Sequence, residues 1–230
     1  MKYRSFLILL SLFFFWIFIK AHPFLLTGGE GDGQAVYLCA REALTLDPAR
    51  AYDYASARVT ANLYEGLVRL RPDSAEVDPC LAKDWEISAD GLTWTFRLRP
   101  GVTFHDGTPL DAQAVKFNVE RLLTSKDVPV TGQLTYGMVE SVEAVDGLTV
   151  RFRLKFPYAP FLNNLAAFFA APVVSPEALK KSGGGTEIAP AGTGPFLLEK
   201  WDRGKEIILK ANPAYWGPKP TLKRIVFRTE

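Results

Sequence analysis

The side chains able to do chemistry are few, and their spacing sets none of them up for catalysis. Of two histidines, His22 lies in an apolar N-terminal stretch, and His105 stands in Phe104-His105-Asp106-Gly107. A His-Asp pair could move protons or hold a metal, but no second ligand or nucleophile follows at a recognisable spacing, so this string reads as a turn. Cys39 and Cys80 are the only cysteines. They could form one disulfide in an oxidising compartment or remain free thiols, and their spacing is not that of a zinc site. Gly192-Thr193-Gly194-Pro195 and Ser182-Gly183-Gly184-Gly185-Thr186 are glycine-rich. Neither is followed by the Lys-Ser/Thr that a phosphate loop needs. Carboxylates are plentiful but unpaired in any catalytic pattern. These readings point away from an enzyme and call for no cofactor and no metal.

Were the chain to bind a ligand, its recognition residues would be sought on loops carried by a rigid scaffold. The candidate ligand contacts are Tyr52, Asp53 and Tyr54 after the first strand, Gln133 and Tyr136 after the second helix, and Phe168 and Phe169 after the segment opened by Pro160. Each aromatic among them could equally be a core residue.

The chain has 230 residues, 48% hydrophobic and 23% charged, with a net charge of +2. That is the composition of a folded protein and not of a disordered one. Lys2, Arg4 and Lys20 fall in the first 27 residues with no acid, so the remainder is close to neutral. Without a basic stripe there is no electrostatic case for nucleic acid. Ser5 to Ile19 is an uncharged apolar run behind the basic start Met1-Lys2-Tyr3-Arg4. This is the layout of an export signal, shorter than the ~20 residues that span a bilayer core. Residues 1–27 are therefore assigned as a signal peptide or, lacking a clear cleavage site, an N-terminal membrane anchor. The expected location is periplasmic or extracytoplasmic.

The elements that must position the candidates follow from periodicity. Residues 35–39 read as a strand, and 55–68 as a helix with Val59, Leu63 and Leu67 on one face. Trp85 and Ile87, then Trp94, Phe96 and Leu98, alternate with polar residues around Asp90-Gly91, a hairpin signature. Asp111 suits the N-cap of a helix running to Leu123, with Val115, Val119, Leu122 and Leu123 as its stripe. Residues 124–137 read as irregular, 139–156 as a second hairpin about Asp146-Gly147, and 157–171 as a short helix with a loop. Strands follow at 196–201, 206–209 and 224–228. Helices and strands mix without βαβ alternation, which predicts an α+β fold.

Several strings resemble family 5 extracellular solute-binding proteins, the receptors of ABC importers for oligopeptides, dipeptides, glutathione and nickel. The densest runs from Leu81-Ala82-Lys83-Asp84-Trp85 through Asp90-Gly91-Leu92-Thr93-Trp94-Thr95-Phe96 to Phe104-His105-Asp106-Gly107. Leu46-Asp47-Pro48 with Asn62-Leu63-Tyr64-Glu65-Gly66-Leu67, Gly192-Thr193-Gly194-Pro195-Phe196, and Asn212-Pro213-Ala214-Tyr215-Trp216-Gly217 agree in order and spacing. The resemblance covers about residues 35–230.

It implies a two-lobed periplasmic-binding-protein-like fold of class II, represented here by a first lobe with its small second domain. Residues 34–76 and 187–230 are expected to form a discontinuous first domain and 77–186 the second, with the breaks at Arg71-Pro72 and the Ser182–Thr186 loop. It implies capture of a small peptide ligand and delivery to an ABC importer permease, with the membrane touched only through an uncleaved N-terminal segment. Another solute, such as glutathione or a nickel chelate, or a non-functional fragment, are the alternatives. Nickel-type members typically carry arginines soon after Pro160-Phe161-Leu162, whereas residues 163–176 contain no basic residue. The family is longer, so the chain is expected to be truncated and to bind peptide weakly on its own. Ile225-Val226-Phe227 is expected to lie on an unpaired, aggregation-prone edge.

Overall fold

Hydrophobic alternation and turn chemistry build two four-stranded sheets, each with its own core. The computed structural model describes residues 33–72, 74–124, 129–167, 172–182 and 189–230. The apolar segment assigned to export, the candidates Phe168 and Phe169, and residues 183–186 of the glycine-rich loop lie outside the described residues. In chain order the elements are β1 (Gln34–Cys39), α1 (Tyr54–Leu63), β2 (Val68–Leu70), β3 (Val77–Pro79), β4 (Ala82–Ile87), β5 (Thr93–Leu98) and α2 (Ala112–Thr124). They continue with α3 (Pro129–Tyr136), β6 (Val139–Ala144), β7 (Thr149–Leu154), α4 (Phe161–Leu165), α5 (Pro176–Lys181), β8 (Phe196–Asp202), β9 (Glu206–Ala211) and β10 (Arg224–Thr229). Among the described residues no helix is long and apolar enough to cross a membrane.

One sheet has the order β4-β5-β7-β6 and is antiparallel throughout. The Asp90-Gly91 turn closes its first hairpin. Gly91 adopts φ +69, Ser88 N donates to Thr93 O at 2.9 Å, and Leu92 N donates to the Asp90 carboxylate at 3.0 Å. Period-two alternation then sends Trp94, Phe96 and Leu98 of β5 and Val150, Phe152 and Leu154 of β7 inward. Phe96, Phe152 and Phe161 meet edge to face with centroids 5.5–5.6 Å apart, an arrangement favoured by the ring quadrupoles. Val115, Val119 and Leu122 of α2 cover this core.

The other sheet has the order β1-β10-β9-β8, with β1 parallel to β10 and the remaining pairs antiparallel. Its core joins Phe196, Ile207, Leu209, Ile225 and Phe227 to Val59, Leu63 and Tyr64. The chain passes from this core to the first between Tyr64 and Leu67, and returns between Val173 and Val174. Both passages lie N-terminal to the compositional breaks at Arg71-Pro72 and Ser182.

Three local expectations are corrected. The helix expected over 55–68 stops at Leu63, because Tyr64 turns extended (ψ 153) and Glu65-Gly66 carries Leu67 into the opposite core. Residues 129–136 are helical rather than irregular. Gly132 is what allows it, since a Cβ there would stand 2.3 Å from Leu122 O of α2. A residue that weakens an isolated helix is here the one that lets two helices touch. Finally, β10 is not an edge: it is hydrogen-bonded to β1 on one side and β9 on the other, so Ile225, Val226 and Phe227 are buried.

Candidate ligand-binding face

Because β1 and β10 run parallel and in register, with Cys39 opposite Thr229, their carboxyl ends emerge side by side. In open sheets with parallel strands, the space beyond those ends is where ligands are commonly held. Here it is a groove of about 1020 Å³ lined by Leu38, Arg41, Glu42, Asp53, Tyr54 and Arg58 among others.

Local hydrogen bonding fixes the loop that forms it. Leu44 N and Thr45 N both donate to Ser56 Oγ, at 2.9 and 3.1 Å, tying the loop after β1 to the first turn of α1. In the Leu46-Asp47-Pro48 turn, the buried Asp47 carboxylate accepts from Ala49 N at 3.0 Å and is paired with Arg121 of α2. Tyr64 donates its hydroxyl to Leu46 O at 2.8 Å. Asp53 is the N-cap of α1, accepting from Ser56 N at 2.8 Å.

Tyr52 and Tyr54 flank that cap and remain 79% and 67% exposed, unlike the buried Tyr64 one helix length away. The Arg58 guanidinium lies 4.3 Å above the Tyr54 ring, and Arg203 lies 3.5 Å above Trp201. Burial pushes the Cys39 thiol up, with Arg58 opposing. Both cysteines are free thiols.

The sequence candidates separate in space. Asp53 and Tyr54 line the groove, and Tyr52 is exposed beside them. Gln133 is exposed on α3 and does not line the groove. Tyr136 is buried in the core of the other sheet, where desolvation raises its pKa. Arg41, Arg58 and Arg203 also belong to the groove and are not among the sequence candidates. Period-four spacing along α1 from Tyr54 was the signal that could have added Arg58.

A second polar centre lies at the seam between the cores. The Glu65 carboxylate accepts hydrogen bonds from Thr193 Oγ1 (2.9 Å), Tyr215 OH (2.6 Å) and Trp216 Nε1 (2.7 Å). Cys80 Sγ lies 3.8 Å from the same carboxylate, and burial with that charge nearby pushes its thiol up to about 12. Gly192 and Gly194 pass against the end of α1, where a Cβ would fall 2.0 Å from Leu63 O and 2.7 Å from Asn62 O. Their absent side chains serve close backbone approach. His105 donates from Nε2 to Gly194 O at 3.0 Å, so the Phe-His-Asp-Gly turn clamps the same segment. Beside Glu65 is a cavity of about 280 Å³, reached by Arg69 and Tyr215.

The profile of bacterial extracellular solute-binding proteins, family 5 (middle region), matches residues 76–229. The chain is 37% identical over 195 residues to the probable D,D-dipeptide-binding periplasmic protein of Escherichia coli, covering 81% of this chain and 37% of that protein. It is 38% identical over 185 residues to the glutathione-binding protein of Pectobacterium atrosepticum, covering 80% of this chain and 35% of that one. Among solved structures it resembles the ABC transporter-associated periplasmic binding protein DppA of Helicobacter pylori in complex with the peptide STSA. The TM-score is 0.74 at 34% identity, over 86% of this chain and 43% of that one. The chain thus spans well under half the length of these relatives, and over that span its fold is that of the class II periplasmic binding proteins. It belongs to the family 5 extracellular solute-binding proteins.

Proposed function

We propose that this chain supplies one wall of the ligand site of an ABC importer's solute-binding component, taking up a small peptide outside the cytoplasmic membrane. The observation that carries the reading is the groove at the joined carboxyl ends of β1 and β10, with exposed Tyr52 and Tyr54 at its margin. Its volume suits a small ligand. Tyrosines are rigid and amphipathic, so they give contact area at little entropic cost.

Relatives named for D,D-dipeptide and glutathione, and a neighbour bound to STSA, support peptide as the solute class. Glutathione is itself a small peptide, so it falls within this reading. The partner is the membrane permease of the importer, and binding and release require no catalytic step. Residues 1–27 would direct export, and any membrane contact would be through them. The two separate cores support a discontinuous first domain with a second domain inserted in it, joined at the Glu65 seam, with the chain crossing near residues 64–67 and 173–174 rather than at 76/77 and 186/187.

Titration of the purified protein with trialanine and with glutathione, followed by amide chemical shifts, tests the proposal. Shifts should concentrate at residues 38–44 and 52–58, and Tyr54→Ala should weaken binding about tenfold, the loss of about 1.4 kcal/mol of contact. Full affinity in Tyr54→Ala would refute the site.

A further inference from the structure

The loop that carries Arg41, Glu42 and Leu44 to the groove has no helix or strand of its own between β1 and α1. Two anchors hold it. One is Ser56 of α1, which binds Leu44 N and Thr45 N. The other is the turn between β8 and β9. Glu42 accepts from Gly204 N at 2.7 Å and pairs with Arg203 at 3.4 Å, and Arg203 also donates to Leu44 O at 3.5 Å. Of the three arginines lining the groove, Arg203 alone has a carboxylate within ion-pair reach among the described residues. Its guanidinium carbon lies 3.5 Å from the centre of the Trp201 ring. Trp201 does not line the groove, but lines a small cavity that shares Cys39, Arg41 and Glu42 with it. Trp201 Nε1 is buried with no hydrogen-bond partner among the described residues, a cost that phenylalanine would not incur. Indole offers a cation the strongest ring face of any side chain, so the face explains why the stranded N–H is tolerated.

We infer that Trp201 is a positioning residue for solute binding: it holds the Arg203 guanidinium on its ring, and through Arg203 it fixes Glu42 and Leu44 without touching the solute. This rests on the groove being the ligand site. Each contact is modest, because the Arg203–Glu42 pair is partly in water. Their effect comes from convergence on one loop. A loop already ordered loses less conformational freedom when the solute arrives, so it binds more tightly than a loose one. Lysine could not replace Arg203 here, since only the planar guanidinium can lie on the ring and reach Glu42 and Leu44 together.

The test measures glutathione affinity of the full chain by amide chemical-shift titration up to millimolar probe, and stability by thermal melting. Trp201→Phe removes the stranded N–H and keeps a ring, so the melting temperature should hold or rise while binding weakens about twofold. Trp201→Leu and Arg203→Ala each remove the stacked contact and should weaken binding about fivefold. Combined, these two should cost no more than either alone, because both act through one contact. Arg203 is exposed, so its variant decides the matter should Trp201→Leu disturb the sheet. Unchanged affinity in Trp201→Leu and Arg203→Ala, with shifts confined to the groove, overturns the positioning role and leaves the groove as the ligand site. Losses that multiply in the double variant also overturn it, since Arg203 would then meet the solute independently of Trp201. So does a Trp201→Phe protein that loses affinity and melting temperature together, the mark of a merely structural residue. Shifts of the unaltered chain elsewhere than the groove, or none at millimolar probe, overturn the groove and the positioning role together.

Discussion

The groove at the carboxyl ends of β1 and β10 and the seam around Glu65 are both polar, but their hydrogen-bond accounting is opposite. At the seam, Glu65 receives three donors from two distant chain segments, and His105 is bound to Gly194. At the groove, two tyrosines stand in solvent and two arginines lack carboxylate partners among the described residues. A satisfied network specifies a packing arrangement, because breaking it strands buried donors. An unsatisfied surface has binding capacity left to give to a solute. Charged and aromatic residues therefore mark function only where the fold has not already used them.

The largest effect that would break this contrast is at the seam. Glu65→Ala strands the donors of Thr193, Tyr215 and Trp216, and should lower unfolding free energy by about 3 kcal/mol. Denaturant unfolding monitored by tryptophan fluorescence measures it. A loss below about 1 kcal/mol would mean that the seam is not held by this carboxylate.

A second effect sharpens the role of His105. Burial lowers its pKa, against the opposing pull of its Gly194 bond and Asp106, and Nδ1 is buried without a hydrogen-bond partner among the described residues. The folded protein therefore holds the neutral ring. Above the ordinary histidine value of 6.5, folded and unfolded states are both neutral at this site. As pH falls below that value the unfolded chain takes up the proton first, so stability should decline toward the lower folded pKa. Thermal melting across pH 7.5 to 5 should show the decline, and His105→Gln should flatten it. An unchanged slope in that variant would assign the acid sensitivity to other groups.

The smallest effect concerns stability at the groove. Tyr52→Ala removes a ring that is exposed and has no side-chain partner among the described residues, and should alter unfolding free energy by no more than about 0.5 kcal/mol. A drop of 2 kcal/mol would show that Tyr52 packs in solution and would erase its contrast with Tyr64.

Much of the local architecture was legible because short-range rules govern it. Asp90-Gly91 flanked by alternating Trp94, Phe96 and Leu98 is a hairpin in any context. The strands at 196–202, 206–211 and 224–229 follow the same logic. The failures were all tertiary. Gly132 reads as a helix breaker until α2 is seen against it. Leu67 keeps helical spacing with Leu63 but belongs to the other core. Tyr54 and Tyr136 look alike in sequence, yet one is exposed at the groove and the other is buried.

By itself, the amino-acid sequence determined the element types, most turn positions, the α+β class and, through its motif strings, the family. Those depend on periodicity, φ preferences and residue order, all of which are local. The tertiary structure alone decided that β1 closes onto β10 from nearly two hundred residues away, making a central strand of what read as an edge. It also decided that Glu65, Thr193, Tyr215 and Trp216 converge, and that Arg41 and Arg58 are left facing one groove. Burial and partner satisfaction are properties of how distant segments meet, and no window of sequence contains them.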